Sequence, residues 1–253
     1  MVKPKKHLGQ HFLKDLNIAR KIADSIAGDT DYILEVGPGT GVLSRFLKER
    51  FGDKLFVAEV DQESVDYLQA HDIIAANHIL GDFLKLDLQT LFPGSITVIG
   101  NFPYNISSQI VFKAIDNRAQ VLEFAGMFQK EVAERIGAAH GNKQYGILSV
   151  MAQAYFEVDY LFSVSEKVFV PPPKVQSAVI RMKRKEQLHL DCDEVLFKNI
   201  VKTSFNTRRK MLRKSLKSLV NKPEILSREI FTKRPEQLSV GDFVEITRLL
   251  END

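Results

Sequence analysis

Residues 32–41 read Tyr-Ile-Leu-Glu-Val-Gly-Pro-Gly-Thr-Gly, and Val42–Arg50 directly after them carries apolar residues at helical spacing. A short apolar run that breaks into glycines and then into a helix opens a strand–helix unit. The pattern repeats outward from there. Leu55–Val60 reads as a second strand with a helix over Glu63–Ala70, and Ile79–Leu80 as a short third strand before Gly81-Asp82. Ile96–Gly100 is a fourth, followed by Asn-Phe-Pro-Tyr and a helix over Ser108–Ile115. Val121–Phe128 is a fifth, with a helix over Glu131–Ala139. Strands separated by helices predict a parallel α/β sheet of Rossmann-like type with helices on both faces. After a helix over Ile147–Phe156, Val158–Val164 and Val175–Met182 read as an antiparallel pair at one edge.

Beyond Lys185 the strand signal stops. Leu196–Phe205, Arg209–Val220 and Val240–Leu250 all have helical periodicity, punctuated by Pro223 and Pro235. The pattern predicts a catalytic-type α/β domain over 1–185, with 1–14 as a basic leading segment, and a small all-α domain over 186–253. At 253 residues, 44% hydrophobic and 26% charged, the composition is that of ordinary globular domains and excludes disorder. The net charge of +3 names no partner, but its placement is uneven. Residues 31–100 hold 11 acids and 5 bases, residues 181–222 hold 13 bases and 4 acids, and Lys202 to Lys217 carries seven bases without an acid. The lone Cys192 excludes an internal disulfide and a Cys-rich zinc module, and it fits a reducing compartment. No apolar core follows the basic N-terminus and no run is long enough to span a membrane. A cytoplasmic, monomeric protein without membrane contact is expected.

Glu35-Val-Gly37-Pro-Gly39-Thr-Gly41 sits at a strand-to-helix turn, where glycines let backbone approach a ligand and the helix N-terminus faces it. A dinucleotide fingerprint needs Gly-x-Gly-x-x-Gly, and here the sixth position is Val42. The spacing suits a ligand without a pyrophosphate, such as S-adenosylmethionine. Glu59 closes the second strand, 22 positions after Gly37, where an acid can accept both ribose hydroxyls. Asp82 follows the third strand, placed to accept from an adenine amino group, with Phe83 beside the ring. Taken alone, Asp82 reads equally well as a helix cap. Three such sites at successive strand ends point to one ligand.

Asn101-Phe102-Pro103-Tyr104, after the fourth strand, is the most specific signal. An exocyclic amino group on a nucleobase is a poor nucleophile, because its lone pair is delocalised into the ring. The Asn101 amide oxygen and the Pro103 carbonyl can accept its two N–H bonds and favour a pyramidal nitrogen. Tyr104 supplies a face on which an extruded base stacks. In the rear domain Arg208, Arg209, Lys210, Arg213, Lys214 and Lys217 predict a basic helix suited to RNA phosphates. A merely solvated face would mix signs. Lys3, Lys5 and Lys6 extend the same footprint. The six histidines show no metal-ligand spacing, and no metal is expected.

Quoted in order, His-Leu-Gly-Gln-His-Phe-Leu (7–13), Glu-Val-Gly-Pro-Gly-Thr-Gly (35–41), Asn-Phe-Pro-Tyr-Asn-Ile-Ser (101–107), Val-Phe-Val-Pro-Pro-Pro-Lys-Val (168–175) and Ser-Phe-Asn-Thr-Arg-Arg-Lys-Met-Leu-Arg (204–213) resemble the ribosomal RNA adenine dimethyltransferases. The likeness covers nearly the whole chain and is greatest to the branch that dimethylates two adjacent adenines near the 3′ end of 16S rRNA. It implies the class I S-adenosylmethionine-dependent methyltransferase fold, S-adenosylmethionine as cofactor, and the small ribosomal subunit, in immature form, as partner. It also implies cofactor contacts from His11 and Leu13, and places Phe169 opposite Tyr104 around the target base. Position 11 is often Asn in that family, and position 102 is usually Leu or Ile. Two other readings share these motifs: a 23S rRNA adenine methylase of the antibiotic-resistance type, and a non-catalytic RNA-binding assembly factor.

Overall fold

In a computed structural model, which describes residues 2–251, the chain divides into two compact units, Met1–Ala133 with Val158–Arg184 and Glu134–Glu157 with Lys185–Asp253. The second unit takes 134–157, a stretch that the strand–helix alternation alone groups with the sheet. The helix over Ile147–Tyr155 is buried on nearly every side, and within this unit the helices over Glu194–Asn206 and Val240–Glu251 pack against it.

The first unit begins with β1 (Phe12–Leu13) and α1 (Leu16–Ala23), whose N-terminus is capped by Asp15 accepting from the Asn17 and Ile18 amides. Then come β2 (Tyr32–Val36), α2 (Val42–Phe51), β3 (Leu55–Ala58), α3 (Gln62–Ala70), β4 (Ile79–Leu80), α4 (Leu88–Leu91), β5 (Ile96–Asn101), α5 (Ser107–Asp116) and β6 (Val121–Gln129). After α6 (Lys130–Gly137) and α7 (Ile147–Tyr155) the chain returns as β7 (Phe156–Val164), β8 (Phe169–Val170) and β9 (Ser177–Arg184). The spatial order is β4-β3-β2-β5-β6-β9-β7, parallel from β4 through β6, with β9 antiparallel to β6. The predicted sheet and its late edge pair are present, with several strand ends displaced by one or two residues: β3 stops at Ala58, β7 already starts at Phe156, and β9 runs Ser177–Arg184. Three features lie outside the expectation: α1, the single turn α4, and a separate ribbon in which β1 pairs antiparallel with β8.

The chain leaves β2 for β3 on one side and returns to β5 on the other. Strand order therefore reverses at β2, and a crevice opens beyond the carboxyl ends there. β2 and β5 are apolar runs buried along almost their whole length, as strands covered on both faces must be.

In the second unit α8 (Glu194–Asn206), capped by Asp193, and α10 (Val240–Glu251) pack with α7. Phe197, Ile200, Phe231, Phe243 and Ile246 form its buried centre. The predicted helix over Arg209–Val220 is replaced by a turn after α8, the single turn α9 (Leu212–Ser215) and a 3₁₀ turn over Lys217–Leu219. A continuous helix would set Arg209 over Arg213, Lys210 over Lys214 and Arg213 over Lys217, like charges one turn apart. The chain instead sends the Leu212 amide to the Lys233 carbonyl at 2.9 Å and buries Leu212 and Leu216.

Candidate active site

The carboxyl ends of four parallel strands deliver the site. The glycine turn follows β2, and Gly37, Gly39 and Gly41 all have positive φ, at 73°, 55° and 74°. Side chains are strained in that region. At Gly39 space is also short, since a Cβ there would come within 2.8 Å of the Phe12 ring.

Glu59, one residue past β3, is 8% exposed and binds this turn. Its Oε2 accepts from the Gly39 amide at 3.1 Å, and its Oε1 from the Val60 and Asp61 amides, each at 2.9 Å. Burial raises its pKa, and these hydrogen bonds oppose the rise. The carboxylate retains unused lone pairs beside the cavity, where a ligand's hydroxyls can donate. Asp82, past β4, lines the same cavity while its Oδ1 caps the Leu84 amide at 3.0 Å. Phe83 does not flank that space. It is 3% exposed, and Leu84 takes the lining position.

β5 ends at Asn101, and the next residue anchors the turn. Phe102 stacks on Phe124 and packs against Phe128, with centroids 5.0 and 4.9 Å away. Pro103 and Tyr104 are thereby held at the cavity wall. Asn101 Nδ2 donates to the His11 carbonyl at 3.0 Å. A carbonyl only accepts, so the sense of the amide is fixed and Oδ1 remains as the acceptor.

The strap before β1 carries contacts that no motif announced. Asp61, 2% exposed, receives the Lys5 ammonium, the Gln10 amide at 3.2 Å and the Ser64 hydroxyl at 2.9 Å. Burial works against the Asp61 charge, yet these partners outweigh it and hold the carboxyl below its usual range. Lys5 is thus tied to Asp61, with Glu63 at 3.6 Å, and leaves the predicted RNA footprint. The only signal in the sequence is an acid two residues after Glu59.

One cavity therefore gathers His11, Gly37, Gly39, Glu59, Asp82, Asn101, Pro103 and Tyr104, together with Gln10, Phe12 and Val60. Leu13 is buried and lines a smaller adjoining space with Glu35 and Gly37. Phe169, which the resemblance places opposite Tyr104, is not among the residues that line this cavity. It is 1% exposed, pairs with Leu13 in the β1–β8 ribbon and belongs to the apolar core, because that short ribbon turns its side chain inward. Of the rear basic residues, Arg209, Lys210, Arg213, Lys214 and Lys217 are exposed. Arg208 is half-buried, donates to the Asn142 carbonyl at 3.3 Å and lies 3.7 Å from Glu236. Among the described residues no cluster of His, Cys, Asp and Glu is fit to hold a metal, and no helix is long and apolar enough to cross a membrane.

A sheet reversing at β2, a glycine turn, an acid after the next strand and Asn-x-Pro-Tyr at the end of β5 define a class I methyltransferase of the S-adenosylmethionine-dependent type. The profile described as "Ribosomal RNA adenine dimethylase" matches residues 1–251, and the chain belongs to that family. It is 58% identical to the ribosomal RNA small subunit methyltransferase A of Parabacteroides distasonis, over 98% of this chain and 94% of that protein. Among solved structures, a dimethyladenosine transferase from Plasmodium falciparum superposes with a TM-score of 0.80 at 26% identity, covering 96% of this chain and 98% of the other. The 23S rRNA methyltransferase ErmE superposes at 0.67 with 24% identity, over 94% and 99%, and shares the fold.

Proposed function

We propose that this chain transfers methyl groups from S-adenosylmethionine to the N6 atoms of two adjacent adenosines in the 3′-terminal hairpin loop of 16S rRNA, within immature small subunits in the cytoplasm. The observation that carries the reading is the fixed amide of Asn101, whose Oδ1 acceptor shares one cavity with Glu59 and Tyr104. The identity with a small-subunit enzyme, more than twice that with ErmE, disfavours the large-subunit alternative.

The residues fit the cofactor. Glu59 offers acceptors to a ribose, the glycine turn admits a ligand against the backbone, and Asp82 stands where an amino group can donate. When bound, S-adenosylmethionine supplies an electrophilic methyl group. The protein's part is positioning. Asn101 Oδ1 and the Pro103 carbonyl accept the two N–H bonds of the target amino group and free its lone pair, while Tyr104 holds the base by stacking. No base is required in the cavity, because methyl transfer leaves an alkylated ammonium on the adenine that is strongly acidic and gives its proton to water. Tyr104 is unfit as one, since burial raises its pKa, with the Ser177 hydrogen bond offsetting part of the rise. The exposed bases at 209–217 supply phosphate contacts.

The test is methyl transfer to naked 16S rRNA, to immature small subunits and to 23S rRNA. Two methyl groups on each of two adjacent small-subunit adenines are expected. Transfer to 23S rRNA alone would establish the resistance-type reading, and no transfer to any would establish a non-catalytic assembly factor.

A further inference from the structure

The phenol oxygen of Tyr104 and Oγ of Ser177 share a hydrogen bond of 2.6 Å. Ser177 opens β9, stands in register with Gln129 of β6 and has no exposed surface. At the other end of the tyrosine, Ser107 Oγ donates to its carbonyl at 3.1 Å, so the backbone is tied to the first turn of α5. The residue is held at both ends. A bond at the phenol tip fixes the long axis of the ring, and a ring can offer its face reproducibly only along a fixed axis. The sheet that carries Ser177 is the sheet whose β5 ends in Asn101. One rigid element therefore sets both the acceptor and the stacking platform.

We propose that Ser177 is a positioning residue for methyl transfer: by holding Tyr104 Oη it sets where the stacked base lies relative to Asn101 Oδ1. The proposal rests on the reading of Tyr104 as the base platform. Ser177 touches no substrate, so its loss acts on the chemical step. RNA affinity, dominated by phosphate contacts, stays near the wild-type value.

Ser177→Ala, Tyr104→Phe and the double variant are compared in single-turnover methylation at saturating cofactor and RNA. Each single change is expected to slow the step by about tenfold, the scale of one hydrogen bond, and the double variant to be no slower than either. RNA dissociation constants and melting temperatures serve as controls. A wild-type rate for Ser177→Ala beside a crippled Tyr104→Ala would overturn the assignment of Ser177 alone. Slowing that multiplies in the double variant would overturn it too, since the two groups would then act separately. An undiminished rate for Tyr104→Ala would overturn the platform reading and Ser177 with it. Should Ser177→Ala fail to fold, Tyr104→Phe removes the same bond from the other side, and a wild-type rate there is equally decisive against the proposal.

Discussion

The imidazole of His11 lies on the ring of Tyr104, with centroids 5.4 Å apart and planes inclined by 29°. A base slotted between two rings needs about 3.5 Å on each side, roughly 7 Å in all. The observed spacing closes this face of Tyr104, and the imidazole must swing away before a base can stack there. What holds it is its contact of 2.8 Å from Nδ1 to the Pro171 carbonyl. One hydrogen bond is worth ~1 kcal/mol net, so His11→Ala is expected to tighten binding of a target hairpin by up to about fivefold. A hairpin abasic at the target position should show no gain. Equal responses from the two RNAs would sink the displacement idea.

Asn101→Ala removes the acceptor that the reacting amino group needs and releases the His11 carbonyl as well. Loss of a preorganised polar partner at a reacting centre costs about 100-fold or more in rate. Single-turnover methylation at saturating cofactor should fall by that order while RNA affinity holds. A variant with a near-normal rate would remove Asn101 from the chemistry.

Glu59→Ala strips three backbone amides of their acceptor and removes the acceptor offered to a ribose. Hydrogen bonds to a charged group contribute about 1.5–3 kcal/mol, so cofactor affinity should drop by one to two orders of magnitude in calorimetry. RNA affinity is expected to stay level. Unchanged cofactor affinity would refute the assignment.

Glu35 lies beneath the glycine turn, 1% exposed, and its Oε2 has no hydrogen-bond partner among the described residues. Burial above all, with the nearby Glu59 charge adding, lifts its pKa from 4.5 to about 8, against an opposing contribution from Ser44. The folded state therefore binds this proton more tightly than the unfolded chain. Its stabilising effect is complete below pH 4.5 and is lost as pH rises to about 8, at up to ~1.4 kcal/mol per pH unit. Glu35→Gln should flatten that part of the stability profile, read as urea midpoints from pH 5 to 8. Parallel profiles for the two proteins would place the titration elsewhere.

The legible parts of this molecule are those whose signal is local. Glu59, Asp82 and Asn101 stand at strand ends because apolar runs stop there, and the stops are visible in sequence. The strap was not legible, because Lys5 and Asp61 are 56 positions apart and neither sits in a recognisable local pattern. The burial of Phe169 was not legible either, because it sits in a two-residue strand, and β8 is too short to show a period. The basic segment failed as a helix for an energetic reason: apolar spacing at Leu212 and Leu216 suggested a helix that the repulsion among its like charges opposes.

That segment also yields the sharpest division among its own residues. Arg209, Lys210 and Arg213 are exposed, whereas Arg208 is tied to the Asn142 carbonyl and stands beside Glu236, whose backbone carbonyl in turn accepts from the Gly141 amide. Arg208 thus braces the loop around 141, and its neighbours are available to phosphates. Reversing Arg209, Lys210 and Arg213 to Glu should weaken binding to small subunits and reduce the salt slope by roughly 0.7–0.9 for each phosphate no longer neutralised. The melting temperature should hold, because none of the three is buried. Arg208→Glu should do the opposite, placing a carboxylate beside Glu236 and lowering the melting temperature while the salt slope changes little. Binding titrations at several salt concentrations, run beside melting curves for both variants, separate the two roles. A triple reversal that folds normally and keeps the wild-type salt slope would take this segment out of the RNA footprint.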